Sequence, residues 1–351
     1  QLILDNGLET SSRLAVGQAL VVQFPTQTHT VQPRETLASI AAAYQLPLRQ
    51  LYRNNPILGG IPEIYPGQTL VLAYDSTPEA TLSVNGYAYP FIDPALLQST
   101  VPYLTYLTPF TYGFTPDGTL VELDDEALLA AARQGGAAPL MHLSTLTEEG
   151  GFSNELAHLA LTQPAVQDTL VDNLEAMLVQ KGYRGLDVDF EYVEERDKEA
   201  FFHFLGRARE RLHQDGFFLH VDLAPKTHAQ QSGPLYAAHD YSVIGAIADS
   251  VLLMTYEWGY AYGPPMAVAP LPQVEEVLQY GVTEIAPGKI QLGIPNYGYD
   301  WTLPYEPSRR AATIGNQEAV RLAGQVGAEI QFDTVSQAPY FRYTREGIAH
   351  Q

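Results

Sequence analysis

The chain has 351 residues, 46% apolar and 17% charged, enough for a barrel-sized core with a smaller module beside it. A formal net charge of −21 excludes the basic surface that nucleic acid needs, and no apolar run of about eighteen residues is present to cross a membrane. There is no cysteine, and the nine histidines form no HxH or HExxH pair, so neither a metal nor a cofactor is expected.

The opening Gln1-Leu2-Ile3 shows no signal-peptide pattern and, without Met, reads as a processed product. An internal repeat follows. Leu14-Ala15-Val16-Gly17-Gln18-Ala19-Leu20-Val21-Val22 recurs about fifty residues later as Ile64-Tyr65-Pro66-Gly67-Gln68-Thr69-Leu70-Val71-Leu72. Upstream pieces match as well, Leu2–Leu8 with Asn6 and Leu51–Ile57 with Asn55. Residues 25–74 therefore read as one complete module and residues 1–24 as part of another. Within the complete module His29-Thr30-Val31 is a short strand, and Thr36 caps a helix running through Ile40 and Tyr44. Pro47 begins a second helix with Leu48, Leu51 and Tyr52 on its apolar face. Pro66-Gly67 turns into a closing strand, Thr69–Ala73.

This βααβ order, with "HTV", "TL", "NP" and "PGQ-L" in sequence, resembles the LysM module; Arg34-Glu35 stands where the family usually has Gly-Asp. The resemblance implies binding of N-acetylglucosamine-containing glycans. The groove would run between Glu35, Thr36 and Leu37 on one side and Pro56, Ile57 and Leu58 on the other.

Beyond a linker at Asp75-Ser76-Thr77-Pro78, strand-like and helix-like segments alternate. Strands are predicted at Leu82–Tyr89, Tyr103–Phe110, Pro139–Leu143, Gly185–Tyr192, Phe217–Leu223, Ser250–Tyr256 and Lys289–Ile294. Helices are predicted at Asp124–Gln134, Pro164–Lys181, Glu195–Gln214, Tyr241–Ala248 and Leu271–Gly281. The fold class is α/β. Seven such units suggest a (β/α)8 TIM barrel over residues 80–351. The eighth unit is not evident, so the barrel reads as truncated after the seventh, or residues 302–351 as an insertion before the eighth strand.

The fourth predicted strand carries the chemistry. In Gly185-Leu186-Asp187-Val188-Asp189-Phe190-Glu191-Tyr192, apolar and acidic residues alternate, so the three carboxylates line one face. Helical patterns on both sides make the strand interior, where desolvated, mutually repelling carboxylates rise in pKa. One of them is then suited to act as a general acid. Barrel side chains at the C-terminal strand ends converge on one site. Those ends bring Asn85, Tyr87 and Tyr89, then Phe110 and Tyr112, then Met254-Thr255-Tyr256-Glu257-Trp258, and finally Asn296, Tyr297 and Trp301. Acids among aromatic rings suit a sugar, because rings stack on pyranose faces and acids bond hydroxyls.

Together these residues resemble family 18 of the glycoside hydrolases, with its DGxDxDxE and MxY[DE] signatures. Gly185, Asp187, Asp189 and Glu191 match the first, and Met254, Tyr256 and Glu257 the second; Arg184 replaces the leading Asp. The stretch 254–265 looks most like the bacterial spore and cell-wall members. The resemblance implies substrate-assisted retaining hydrolysis. Glu191 would be the acid. Asp189 would hold the 2-acetamido group, Asp187 would orient Asp189, and Tyr256 would bond the acetamido oxygen. Tyr87, Tyr89, Phe110, Met254, Glu257, Trp258, Asn296, Tyr297 and Trp301 would line the sugar site. The partner would be peptidoglycan or another N-acetylglucosamine polymer, met outside the cytoplasm in a cell wall or spore envelope by a monomer. A chitinase or endo-N-acetylglucosaminidase, or a non-catalytic glycan-binding barrel, are the alternatives.

Overall fold

The structure is a computed structural model and describes residues 2–6, 8, 14–75, 80–147 and 151–351. Ser76, Thr77 and Pro78 of the expected linker, and parts of the expected N-terminal repeat, lie outside the described residues. The chain divides into two compact units. One holds Leu20–Val188 and Arg211–Phe218; the other holds Asp189–Glu210 and Leu219–Gln351.

In the first unit, residues 25–74 fold as the predicted βααβ module. Strand Pro25–Thr30 pairs antiparallel with Thr69–Tyr74. Thr36 caps the helix Leu37–Ala43 through a reciprocal box with Ser39. Pro47 precedes the helix Leu48–Asn54. Val31, Leu37, Ile40, Leu51, Leu58, Leu70 and Leu72 form the core of this module. Gly67 holds φ 88° in the turn before the closing strand, where a side chain would be strained.

Asn55 fastens helix to strand. It is 4% exposed, its Nδ2 donates to Leu51 O (2.9 Å) and Val71 O (2.8 Å), and its Oδ1 accepts from Val71 N (2.8 Å). The same trio recurs at Asn6, with Leu2 O (2.9 Å), Val21 O (2.8 Å) and Val21 N (2.6 Å). Asn55→Ala strands two buried backbone groups of Val71. It is expected to destabilise the module by about 2–4 kcal/mol, since each buried unsatisfied group costs about 1–3 kcal/mol. Faster amide exchange confined to residues 25–74 would report this, and unchanged protection at Val71 would refute it.

The rest of the first unit contains parallel strands Asn85–Ala88, Tyr106–Pro109, Ala138–Ser144 and Gly185–Asp189. Between them run helices Pro94–Thr100, Glu126–Gly135, Asn154–Thr162 and Pro164–Lys181. The first and the third of these helices were not anticipated. Every residue of Gly185–Asp189 is buried, as expected for an interior strand with both faces covered. Gly185 sits where a Cβ would lie 2.4 Å from Phe218 O, so only glycine allows this approach.

The second unit holds parallel strands Phe218–Leu223, Ser250–Leu253 and Ile290–Leu292. Its helices are Lys198–Gln214, Tyr241–Ile247 and Leu271–Glu284. Residues 297–351 depart from the α/β alternation. Strand Tyr297–Asp300 pairs antiparallel with Ala312–Gly315, helix Asn316–Val326 follows, and Thr302–Leu303, Ile348–His350 and Tyr343–Arg345 form a small antiparallel sheet. No helix among the described residues is long and apolar enough to cross a membrane.

Candidate active site

Strand Gly185–Asp189 continues from the first unit into the second and ends three residues earlier than predicted. Asp187 and Asp189, two residues apart, share a face. Phe190 then turns into the core, its ring stacked on Phe201 (5.9 Å) and Phe204 (5.6 Å) of the following helix. Glu191 and Tyr192 therefore leave the strand on a loop whose path this packing sets. Tyr192 has φ 57°, left-handed backbone that a bulky residue adopts at a cost of about 1–3 kcal/mol. Burial pushes the Glu191 carboxyl up to about 7.

Sequence reasoning missed His239. It is 1% exposed; its Nδ1 accepts from Ala224 N (2.7 Å) and its Nε2 donates to Phe190 O (3.2 Å). Burial drives its pKa down to about 4, so the ring is neutral and the tautomer is set by these two bonds. It thus clamps the peptide between Asp189 and Glu191. A single histidine in a loop offers no periodic or motif signal by which to find it.

Around Asp187, within the first unit, Tyr87 OH donates to Asp187 Oδ2 (2.9 Å), and the Tyr87 ring meets His142 edge-on at 5.7 Å. Phe110 packs on His142 (4.7 Å) and on Tyr89 (5.3 Å), and Tyr89 stacks on Phe91 (4.9 Å). Tyr87, Tyr89 and Phe110 thus lie in one run of ring contacts with His142 and Phe91. Burial lowers the His142 pKa against the pull of the Asp187 charge, while Thr111 Oγ1 lies 2.6 Å from its Nδ1. Tyr89 and Phe91 are 52% and 82% exposed, an aromatic face open to a ligand.

In the second unit the sixth-strand motif lies just past Ser250–Leu253. Met254 is buried and Trp258 half-buried, while Glu257 is exposed with φ 68°. Burial raises the Tyr256 phenol pKa, helped by the charges of Asp222 and Asp189, by Tyr297 and by Glu191. Tyr256 therefore stays a proton donor. Asp222, a fifth-strand residue absent from the expected set, is 4% exposed.

Glu257 accepts from Tyr297 OH (2.5 Å) and Tyr299 OH (2.8 Å). Burial and the Glu257 bond raise the Tyr299 pKa. Tyr297 and Tyr299 reach one carboxylate because alternate residues of a strand share a face. That strand is the antiparallel Tyr297–Asp300. The expectation that Asn296 and Tyr297 end the seventh barrel strand is therefore corrected, since that strand stops at Leu292. Asn296 is exposed. Trp301 is 6% exposed, and its indole N–H donates to Gly263 O (2.9 Å).

Arg184, in place of the family Asp, bonds Gly216 O (2.5 Å) and lies over the Phe218 ring at 5.8 Å. It sits at the opposite end of the strand from Asp189. In the βααβ module Ile57 and Pro56 are exposed, but Leu37 and Leu58, expected on the glycan groove, are core residues at 2% and 6% exposure. Their side chains complete the module's small core, which leaves only their backbone to a glycan. Glu35 is held in a turn by Gln32 N (2.6 Å) and His29 Nε2 (2.7 Å), bonds that lower its pKa.

Residues 98–348 match the glycosyl hydrolases family 18, and residues 29–73 match the LysM domain. The cortical fragment-lytic enzyme of Bacillus anthracis is 37% identical over 360 residues, covering 100% of this chain and 83% of that protein. The crystal structure of the Bacillus cereus spore cortex-lytic enzyme SleL is 35% identical, superposes with a TM-score of 0.80, and covers 99% of this chain and 82% of that one. A chitinase from Chromobacterium violaceum, 24% identical, shares the fold with a TM-score of 0.69 over 77% of this chain and 85% of its own.

Proposed function

We infer the reaction from family membership: the chain belongs to glycosyl hydrolase family 18 and carries a LysM domain. It is a glycoside hydrolase, and its substrate is the glycan of spore peptidoglycan, cleaved after N-acetylglucosamine. The observation that carries this reading is the half-buried Glu191, its pKa raised to about 7, two residues beyond the strand acid Asp189. At that pKa the group carries a proton near neutral pH and can release it.

Glu191 protonates the glycosidic oxygen as the bond to the anomeric carbon breaks. The substrate's own 2-acetamido oxygen attacks that carbon, giving an oxazolinium; this is the substrate-assisted variant of retaining hydrolysis. Asp189 accepts from the acetamido N–H and offsets the developing positive charge. Asp187, fixed by Tyr87, orients Asp189. Tyr256, held protonated, donates to the acetamido oxygen. Water then opens the ring, with Glu191 taking the proton back. Glu257, between Tyr297 and Tyr299, accepts from a sugar hydroxyl, and Tyr89 and Phe91 stack on a pyranose. The LysM domain retains the chain on insoluble wall. Residues 1–24 are read as part of a second such module, a reading supported by the Asn6 bonds that repeat those of Asn55.

The test uses the substrate. Oligomers whose 2-acetamido groups are replaced by hydroxyl are expected to resist cleavage, while cortex fragments release chains with N-acetylglucosamine at the new reducing end, identified by mass spectrometry. Efficient hydrolysis of the hydroxyl analogue would show the mechanism to be wrong. Turnover of chitin oligomers with inert cortex fragments would move the substrate to chitin.

A further inference from the structure

The segment after Glu191 and the loop after strand Phe218–Leu223 flank an open cavity of about 260 Å³, lined among others by Glu195, Lys198, Lys226, Gln231, Ser232 and Tyr236. Lys226 is the unusual member. It is 5% exposed, and its ammonium has no hydrogen-bond or ion-pair partner among the described residues. A desolvated, unpaired ammonium is costly, and such a group is normally paired. Burial lowers its pKa, the more remote Asp240 and Glu195 charges opposing this and Lys198 adding to it.

The loop that carries Lys226 is braced. Tyr241 OH accepts from Lys226 N (2.9 Å) and donates to Ala224 O (2.7 Å), and Gln231 Oε1 accepts from Thr227 N (2.7 Å). Lys198, the second cation at the wall, is 3.5 Å from Asp240 Oδ2. The cavity wall begins close to the acid in the chain, with Glu195 in the segment that follows Glu191.

The direction along the chain is informative. In the reaction proposed above, Asp189 holds the acetamido group of the sugar before the cut, and Glu191 meets the glycosidic oxygen. Residues Tyr192 to Lys198 follow Glu191 in the chain, and it is on their side that the sugar after the cut is placed in the proposal below. In peptidoglycan that sugar is a muramic residue, whose lactyl carboxyl is free, extended by a peptide that ends in carboxylates, or closed as a neutral lactam; the first two are anionic. In chitin it is a neutral N-acetylglucosamine.

We propose that this cavity is a carboxylate subsite for the muramyl residue on the leaving-group side, with Lys226 as the anion's direct partner and Lys198 in support. The proposal rests on the glycosidase reading and deepens it. It assigns the cavity to discrimination between acidic and neutral leaving-group sugars.

The experiment measures binding apart from turnover. Oligosaccharides with a muramic residue as free lactyl acid, as its neutral carboxamide, or as its peptidyl form, and a neutral N-acetylglucosamine oligomer, are titrated into the full chain carrying Glu191→Gln. The free acid or the peptidyl form is expected to bind more tightly than the carboxamide by about ten-fold or more, the worth of a hydrogen bond between charged groups. Adding Lys226→Met should erase that preference and leave the neutral ligands within about two-fold, while Lys226→Arg keeps part of it. A preference confined to the peptidyl form assigns the carboxylate to the peptide. Equal affinity for acid and carboxamide without any change at Lys226 overturns the proposal even if that variant fails to fold. Equal loss for all four ligands in a folded Lys226→Met chain does so too. Wild-type cleavage of the neutral oligomer reports separately on the glycosidase reading.

Discussion

Glu191→Gln is expected to lower hydrolysis by about 10²–10⁴-fold, the range for lost acid–base assistance, while glycan affinity changes little. The substitution keeps the shape of the side chain and removes its titratable proton. On the proposed mechanism Glu191 must be protonated to assist departure, and burial pushes its carboxyl up to about 7. The rate should therefore decline as pH rises through that value, and the residual rate of the variant should lack the decline. Stability moves with the same group. The folded pKa lies above the ordinary 4.5, so the folded chain holds more protons between pH 4.5 and 7 and loses stability as pH rises across that window. Glu191→Gln escapes this loss. Above pH 7 it should be more stable than the wild type by on the order of 2–3 kcal/mol, and near pH 4 about equal to it. Chemical denaturation at both pH values checks the difference. A variant with near-normal turnover would exclude Glu191 as the acid.

The largest loss of stability is expected at Asp125, away from the chemistry. Asp125 is 0% exposed and accepts from Tyr112 OH (2.5 Å), from Lys181 Nζ (2.7 Å) and from Tyr183 OH. Burial, with the bond to Asp125, raises the Tyr112 phenol to about 12 and keeps both phenols protonated as donors. Burial disfavours the Lys181 ammonium, but its bonds to Asp125 and Tyr112 outweigh that and raise its pKa. Asp125→Ala leaves one cation and two phenols aimed at an empty acceptor position. The expected cost is about 3–5 kcal/mol, the usual consequence of breaking a buried ion pair from one side. Lys181→Met should cost less, since it removes the cation and leaves the carboxylate its two phenol donors. A loss under about 1 kcal/mol for Asp125→Ala in urea unfolding would show that water replaces the carboxylate.

Much of the acid row could be read from the chain because it depends on local periodicity. Alternation places Asp187 and Asp189 on one face wherever the strand goes, and flanking helical patterns make that strand interior. The MxYE stretch and the βααβ module are likewise contiguous, so Tyr256, Glu257, Thr36 and Pro47 could be assigned from neighbours in sequence. What pattern alone misplaced was decided by packing between distant segments. Phe190 follows the alternation, yet its stacking on Phe201 and Phe204 ends the strand at Asp189 and moves Glu191 onto a loop. Leu37 and Leu58 sit in a motif that suggests a groove, but a module this small needs their side chains for its core. Tyr297 and Tyr299 face Glu257 because residues 297–300 pair antiparallel with 312–315, a partnership fifteen residues away that no period announces. His239 and Lys226 have no sequence signature at all. One is a clamp because burial keeps its ring neutral, and the other is a largely buried cation without a partner among the described residues. The sequence by itself determined which residues could do chemistry. The tertiary structure decided which were desolvated and held, and desolvation is what raises the Glu191 carboxyl into the range that a general acid at neutral pH requires.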